Sequence, residues 1–260
     1  MKLLEVIQRR EVGSAEQLKQ RLAATHKKAA QHGELGKGEY GTVYHKPGAV
    51  PQAQKVSIPT HIHPQTRKPM EGYLAWLEVV HDKHNPFFPQ ITNVEMFVSH
   101  DDMVAYAAKM EKLVSYDSLS EEQATSLVER YMFPVDEEVQ RHIQEAAKWR
   151  KIPYQAMCVL LFAAAIRSLV LGDRENYISL VKEVRGYQRP KQQTWREFLS
   201  GKKREELPHI NIDDTLMEAV QMLKDLEKVY HYDLHYNNIL YRRTPYGVQP
   251  VFMDPFAIHK

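Results

Sequence analysis

The chain has 260 residues, 43% of them apolar and 26% charged, with a formal net charge of +2. That length can bury a large core, as one two-lobed domain or as two small ones, and the near-neutral balance dictates no partner. A single cysteine, Cys158, excludes an intrachain disulfide and an all-cysteine zinc site. It sits in the apolar run "AMCVLLFAAAI", where a buried thiol is expected; that run is too short to span a bilayer. The N-terminal "MKLLEVIQRREV" turns charged too early for a secretory signal, so a cytoplasmic protein is expected.

In chain order, "SAEQLKQRLAATHKKAAQHG" predicts a helix, with Ser14 and Gln17 as a capping box and Gly33 as the stop. Residues 1–33 read as an N-terminal helical extension. From 34 to 113 the texture changes to short apolar runs broken by Gly and Pro. "YGTVYH", "AQKVSI", "QITNVEMFV" and "MVAYAAKM" predict strands, and "EGYLAWLEVVHDKH" predicts one helix among them. Residues 114–260 turn helical. "LSEEQATSLVERYM" opens with a Ser120/Gln123 capping box, and "DEEVQRHIQEAAKWRK" follows Pro134. "YQAMCVLLFAAAIRSLVLG" is apolar nearly all round and predicts a central buried helix. "RENYISLVKEVRG" and "DDTLMEAVQMLKDLEKVY" are amphipathic, and a strand pair closes the chain. The expected fold is α+β, two-lobed, with a small antiparallel-sheet N-lobe and a mostly helical C-lobe.

Several short motifs carry chemistry. "GELGKGEYGTVY" fits G-x-G-x-x-G-x-V, with Gly36, Lys37, Gly38, Gly41 and Val43. Glycines let backbone amides approach phosphate oxygens. The β-branched, aromatic run after them predicts a strand where a Rossmann fingerprint needs a helix, which favours a flap over a nucleotide. Lys55 follows in a strand with Ala53 two before it, and Glu71 opens the next helix, with Glu78 as a rival carboxylate. "YHYDLHYNNILYR" then places Asp233 and Asn238 five apart, with His231 and His235 on either side of the aspartate. An aspartate and an asparagine at that spacing suit a catalytic base and a metal ligand on one loop. Sixteen residues after Asn238, Asp254 ends an apolar strand in "VFMDPF".

These residues, in this order, resemble the protein-kinase-like superfamily over about Leu35 to Phe256. Within it the chain looks most like the kinase-like proteins of tailed bacteriophages, on "DLHYNNIL", "FMDPF" and "HNPFFPQITNVEMF". "DLH" is also similar to aminoglycoside and choline phosphotransferases. The resemblance implies an ATP- and magnesium-dependent phosphotransferase, a serine/threonine protein kinase of phage type, in the host cytoplasm if phage-encoded. Gly36, Lys37, Gly38, Gly41 and Val43 would cover the nucleotide. Lys55 would hold the inner phosphates with Glu71 orienting it, and Ala53 would line the pocket. Met110, Glu111, Lys112 and Leu113 would form the adenine hinge. Asp233 would be the base, and Asn238 and Asp254 would bind Mg2+. His235 stands where most protein kinases carry lysine, and imidazole is fully charged only below about pH 6.5. The chain has no activation segment, Ala-Pro-Glu or later helices after Asp254. A small-molecule kinase and a kinase-like protein that docks a host or partner protein are the rival readings.

Two other clusters stand out. His61, His63, His81 and His84 flank the predicted helix as "HIHP" and "HDKH", and are expected as surface histidines in preference to a zinc site. Arg185 to Arg204 holds seven Lys/Arg against Glu197, with Tyr187 and Trp195 interleaved. It is expected as a solvated loop, with nucleic acid or an acidic protein face as the functional alternative.

Overall fold

Two units make up the chain: Met1–Leu113 with Asp225–Asp233 and Val251–Lys260, and Val114–Lys224 with Leu234–Pro250. The computed structural model describes residues 7–38, 41–48, 51–184 and 210–259. The basic segment from Arg185 to Arg204 lies outside the described residues.

The first unit is built on one sheet. Its strands are β1 (Ile7–Val12), β2 (Glu34–Gly38), β3 (Gly41–Lys46), β4 (Gln52–Ser57), β5 (Thr60–His61), β6 (Ile91–Ser99) and β7 (Met103–Glu111). They run in the order β1-β6-β7-β4-β3-β2, with β5 also on β7. All neighbours are antiparallel except β1 and β6. Helix α1 (Ala15–Ala30) covers one face. Ser14 caps it by accepting from the Gln17 amide at 3.3 Å, and Lys27 and Lys28 sit in its last turn, where the helix dipole favours cations. Leu18, Leu22 and Ala29 pack there with Val12, Tyr44, Val56, Phe97, Ala105 and Ala107. Helix α2 (Gly72–Val80) buries Tyr73, Leu74, Trp76 and Leu77, so apolar contact surrounds it. The Trp76 indole donates to the Phe252 carbonyl at 3.2 Å. Two late strands, β8 (Tyr230–Tyr232) and β11 (Phe256–His259), pair antiparallel within this same unit.

The second unit is helical: α3 (Glu121–Tyr131), α4 (Glu137–Arg150), α5 (Tyr154–Leu171), α6 (Arg174–Val184) and α7 (Asp214–Glu227) up to Lys224. The Ser120/Gln123 capping box is formed, and Asp136 caps α4 through the Val139 amide at 2.9 Å. Helices α3, α4 and α6 pack around α5. Among the described helices α5 alone is long and apolar enough to cross a membrane, and 72% of it is buried inside the protein. Cys158 is buried there, and burial pushes its thiol up to about 12. A short 3-10 turn (Tyr236–Asn238) leads into the hairpin of β9 (Ile239–Thr244) and β10 (Gly247–Phe252).

The architecture is α+β as expected: an antiparallel-rich sheet in the N-terminal part and helices in the C-terminal part. Two features differ from the sequence reading. The first 33 residues are more than a helical extension, because β1 extends the sheet. Its side chains are mostly exposed, so it lacks the alternation that marks a half-buried strand, and backbone pairing with β6 holds it. Residues 225–233 and 251–260, expected in the C-lobe, group with the sheet because β8 and β11 lie beside α2, where an isolated bridge joins Glu71 to Ile258.

Candidate active site

Strand β4 lies between β3 and β7, in register Val43–Lys55–Ala108. Strand alternation sends Val56 into the α1 core and Lys55 toward α2. Lys55 is only 8% exposed. A buried ammonium is costly unless compensated, and two groups compensate it. Its Nζ lies 3.0 Å from Asp254 Oδ2 and 3.4 Å from the centroid of the Tyr73 ring. Asp254 is fixed from both sides. Before it, the Phe252 amide donates to the Phe87 carbonyl at 2.8 Å. After it, the Pro255 carbonyl accepts from the Asp233 amide at 2.8 Å. The Asp254 side chain keeps about a third of its surface exposed (33%), so one carboxylate meets both the lysine and solvent.

Glu71 is the N-cap of α2 and is buried, at 2% exposure. Its Oε1 accepts from the Tyr106 hydroxyl at 2.9 Å, while Oε2 is buried with no hydrogen-bond partner among the described residues. Burial raises this carboxyl to about 7, against the opposing pull of Lys55; Asp254 pushes it further up. Lys55 therefore pairs with Asp254, where Glu71 was the expected partner. The part-exposed acid meets the lysine, and the buried one meets Tyr106. Glu78, the rival carboxylate, faces Arg9 at 3.1 Å, away from this cluster.

Asp233 is exposed at the end of β8. In the second unit, His235 caps the 3-10 turn: its Nδ1 accepts from the Asn237 amide at 3.2 Å, and its carbonyl accepts from the Asn238 amide at 2.9 Å. That contact orients the imidazole against its own turn. Loop geometry thus accounts for His235 independently of any charge role.

Strands β2 and β3 form the expected glycine hairpin, with Gly38 opposite Gly41. The glycines differ in kind. A Cβ on Gly41 would meet the Val56 carbonyl oxygen at 2.5 Å, so close approach to β4 requires glycine there. A Cβ on Gly36 or Gly38 would meet nothing within 4 Å. Ala53 is buried in register with Met110, and Lys37 is exposed. Met110 and Glu111 end β7, and Lys112 and Leu113 follow it. The Glu111 amide donates to Gln90 at 3.0 Å and the Lys112 amide to Pro51 at 3.1 Å. Flanking chain on both sides thus takes up two amides of the stretch read as the adenine hinge. Met110 is buried, its sulfur accepting from the Tyr73 hydroxyl at 3.5 Å.

The first unit therefore brings Lys55, Glu71 and Asp254 together and ties Asp233 to the residue after Asp254. Sequence reasoning missed Tyr73 and Tyr106. Both are fully buried, and burial keeps both phenols protonated. Tyr73 lies two residues after Glu71, and Tyr106 alternates with Ala108 and Met110 on β7; that alternation was the available signal. Among the described residues no three His, Cys, Asp or Glu gather as a metal cluster, the four helix-flanking histidines included. His63 instead stacks on His259, with ring centroids 4.3 Å apart.

No family model matches the chain, and no curated protein matches it. Among solved structures it is similar to the kinase domain of PknI from Mycobacterium tuberculosis, a double mutant, at 12% identity and a TM-score of 0.29. That match covers 85% of this chain and 55% of the other, so the chain spans about half the length of that structure. It is also similar to a thermostable mutant of aminoglycoside phosphotransferase APH(4)-Ia, at 10% identity and a TM-score of 0.29, over 87% of this chain and 68% of that one.

Proposed function

We propose that the chain is a phosphotransferase that uses ATP and Mg2+ to phosphorylate a hydroxyl, with a serine or threonine of a protein as acceptor. One observation carries this reading: a buried strand lysine meets a carboxylate 199 residues later, and that carboxylate's neighbour anchors the loop aspartate. An ammonium beside a part-exposed carboxylate suits a phosphate oxygen and a hard divalent cation held together. The open space beside Gly36 and Gly38 also supports it, since nothing within the protein demands glycine at either position.

Lys55 would hold the inner phosphates, Asp254 and Asn238 the metal, and the amides of the glycine hairpin the outer phosphates. Bound Mg2+ would neutralise charge on the transferring phosphoryl group. Asp233 orients the acceptor hydroxyl and takes its proton as the oxygen bonds to the γ-phosphorus and the bond to ADP breaks. Tyr73 and Tyr106 shape the floor: one presents its ring to Lys55, the other holds Glu71.

The test is incubation with γ-labelled ATP and a mixed protein substrate. Labelled protein that disappears with Asp233→Ala is expected. Label confined to a small-molecule fraction replaces the protein acceptor, and nucleotide binding with no transfer to any hydroxyl overturns the activity.

A further inference from the structure

The face of the first sheet turned away from Lys55 carries a concavity, a pocket of about 270 Å³ between α1 and the strands. Its helix side is Arg21, Ala24, Thr25, Lys28, Ala29 and His32, at the three- and four-residue spacing of one helix face. Its sheet side follows from register. Gln54 pairs with Lys109 on one side and Tyr44 on the other; Lys46 is two residues beyond Tyr44, and Ala107, two before Lys109, pairs with Glu95. Strand alternation puts these on one face. The space exists because the helix changes character along its length. Leu18 and Leu22 fill the contact in the first half, whereas Ala24, Ala29 and Ala107 leave the second half open.

Charge sets this pocket apart. Arg21, Lys28, Lys46 and Lys109 line it against one acid, Glu95, which faces Arg10 at 4.0 Å. Among the described residues none of the four cations has a carboxylate within ion-pair distance, and the Arg21 guanidinium lies over the Phe97 ring at 5.0 Å. The helix C-terminus accounts for Lys28. It does not account for Lys46 and Lys109, which come from two different strands. Four like charges around one concavity repel one another, and a bound anion would turn that repulsion into attraction.

We propose that this pocket binds a compact phosphorylated small molecule at a site separate from Lys55. Its volume lies just below the usual range for ligand pockets, which suits one or two phosphate groups on a small scaffold. Lysine ammonium groups and the guanidinium supply point charges and a donor fork, and Gln54 supplies an amide. The proposal does not depend on the phosphotransferase reading.

The experiment titrates inorganic pyrophosphate into the full chain and follows backbone amide shifts and heat. Shifts in α1, β4 and β7 around Lys28, Gln54 and Lys109 are expected, and they persist in Lys55→Ala. In Lys46→Gln/Lys109→Gln, pyrophosphate should bind about tenfold more weakly for each lysine removed. Unchanged affinity in that variant, or shifts confined to the surroundings of Lys55 and Asp254, overturns the site. Binding of oligoglutamate or single-stranded DNA at these residues with none of pyrophosphate overturns the ligand class. Should the double variant fail to fold, the shift map of the unaltered chain decides.

Discussion

Glu71 holds a carboxyl out of water beside a lysine that pairs elsewhere. Its proton affinity rises from 4.5 to about 7 on folding, chiefly through burial. Between those values the folded chain binds a proton that the unfolded chain does not, so stability falls as pH rises through the interval. The shift corresponds to about 3 kcal/mol. Glu71→Gln should therefore flatten the decline of Tm with pH between 4.5 and about 7; a parallel decline in the variant assigns the pH dependence to another group. Asp254 tests the other half of the pair. Asp254→Ala should abolish magnesium-dependent ATP binding. It should also cost roughly 1–2 kcal/mol, because Lys55 is left buried against the Tyr73 ring while the lost carboxylate was itself partly solvated. Unchanged ATP affinity, read by calorimetry with and without Mg2+, removes Asp254 from the metal site. The pairing of Lys55 with Asp254 had no local signal in the sequence beyond two plausible motifs. That Asp254 and not Glu71 meets Lys55 is a property of the folded chain.

At the scale of elements, the entry of α2 is a tight joint. A Cβ on Gly72 would meet Phe256 Cβ at 2.5 Å and the Ala257 carbonyl oxygen at 2.6 Å. Helix and β11 can approach only because residue 72 has no side chain. Gly72→Ala should push the two apart and shift its neighbour Glu71, with a stability loss of about 1–3 kcal/mol. A denaturant midpoint equal to that of the unaltered chain would show that the joint yields freely. The helix starts, in contrast, were legible in part: Ser14 and Ser120 were read as caps, and Asp136 was not. Ser14, Ser120 and Asp136 cap α1, α3 and α4 because a short side-chain oxygen before an amphipathic run has a local use. The hinge was less legible. Met110 to Leu113 carries the residue types of a strand end, and only the fold reveals that Gln90 and Pro51 take up two of its amides.

At the scale of the molecule, each unit has its own core, one between sheet and helices and one around α5. The N-terminal segment belongs to the first. A chain beginning at Glu34 would uncover Val56, Phe97, Ala105 and Ala107, which α1 now covers. It should bind a hydrophobic dye and lose its cooperative melt, whereas an unchanged Tm would make the segment a dispensable extension. Most of the fold could be read from the chain because capping, helical periodicity and strand alternation are local, and each acts within a few residues. By itself the sequence determined the α+β class, nearly every helix, the glycine hairpin and the acidic and basic residues worth following. Tertiary structure alone decided that β1 joins the sheet, that β8 and β11 pair with each other in the same unit, and that Lys55 answers to Asp254 across 199 residues. Those are outcomes of backbone pairing and desolvation between distant segments, and neither leaves a periodic mark in the residues involved.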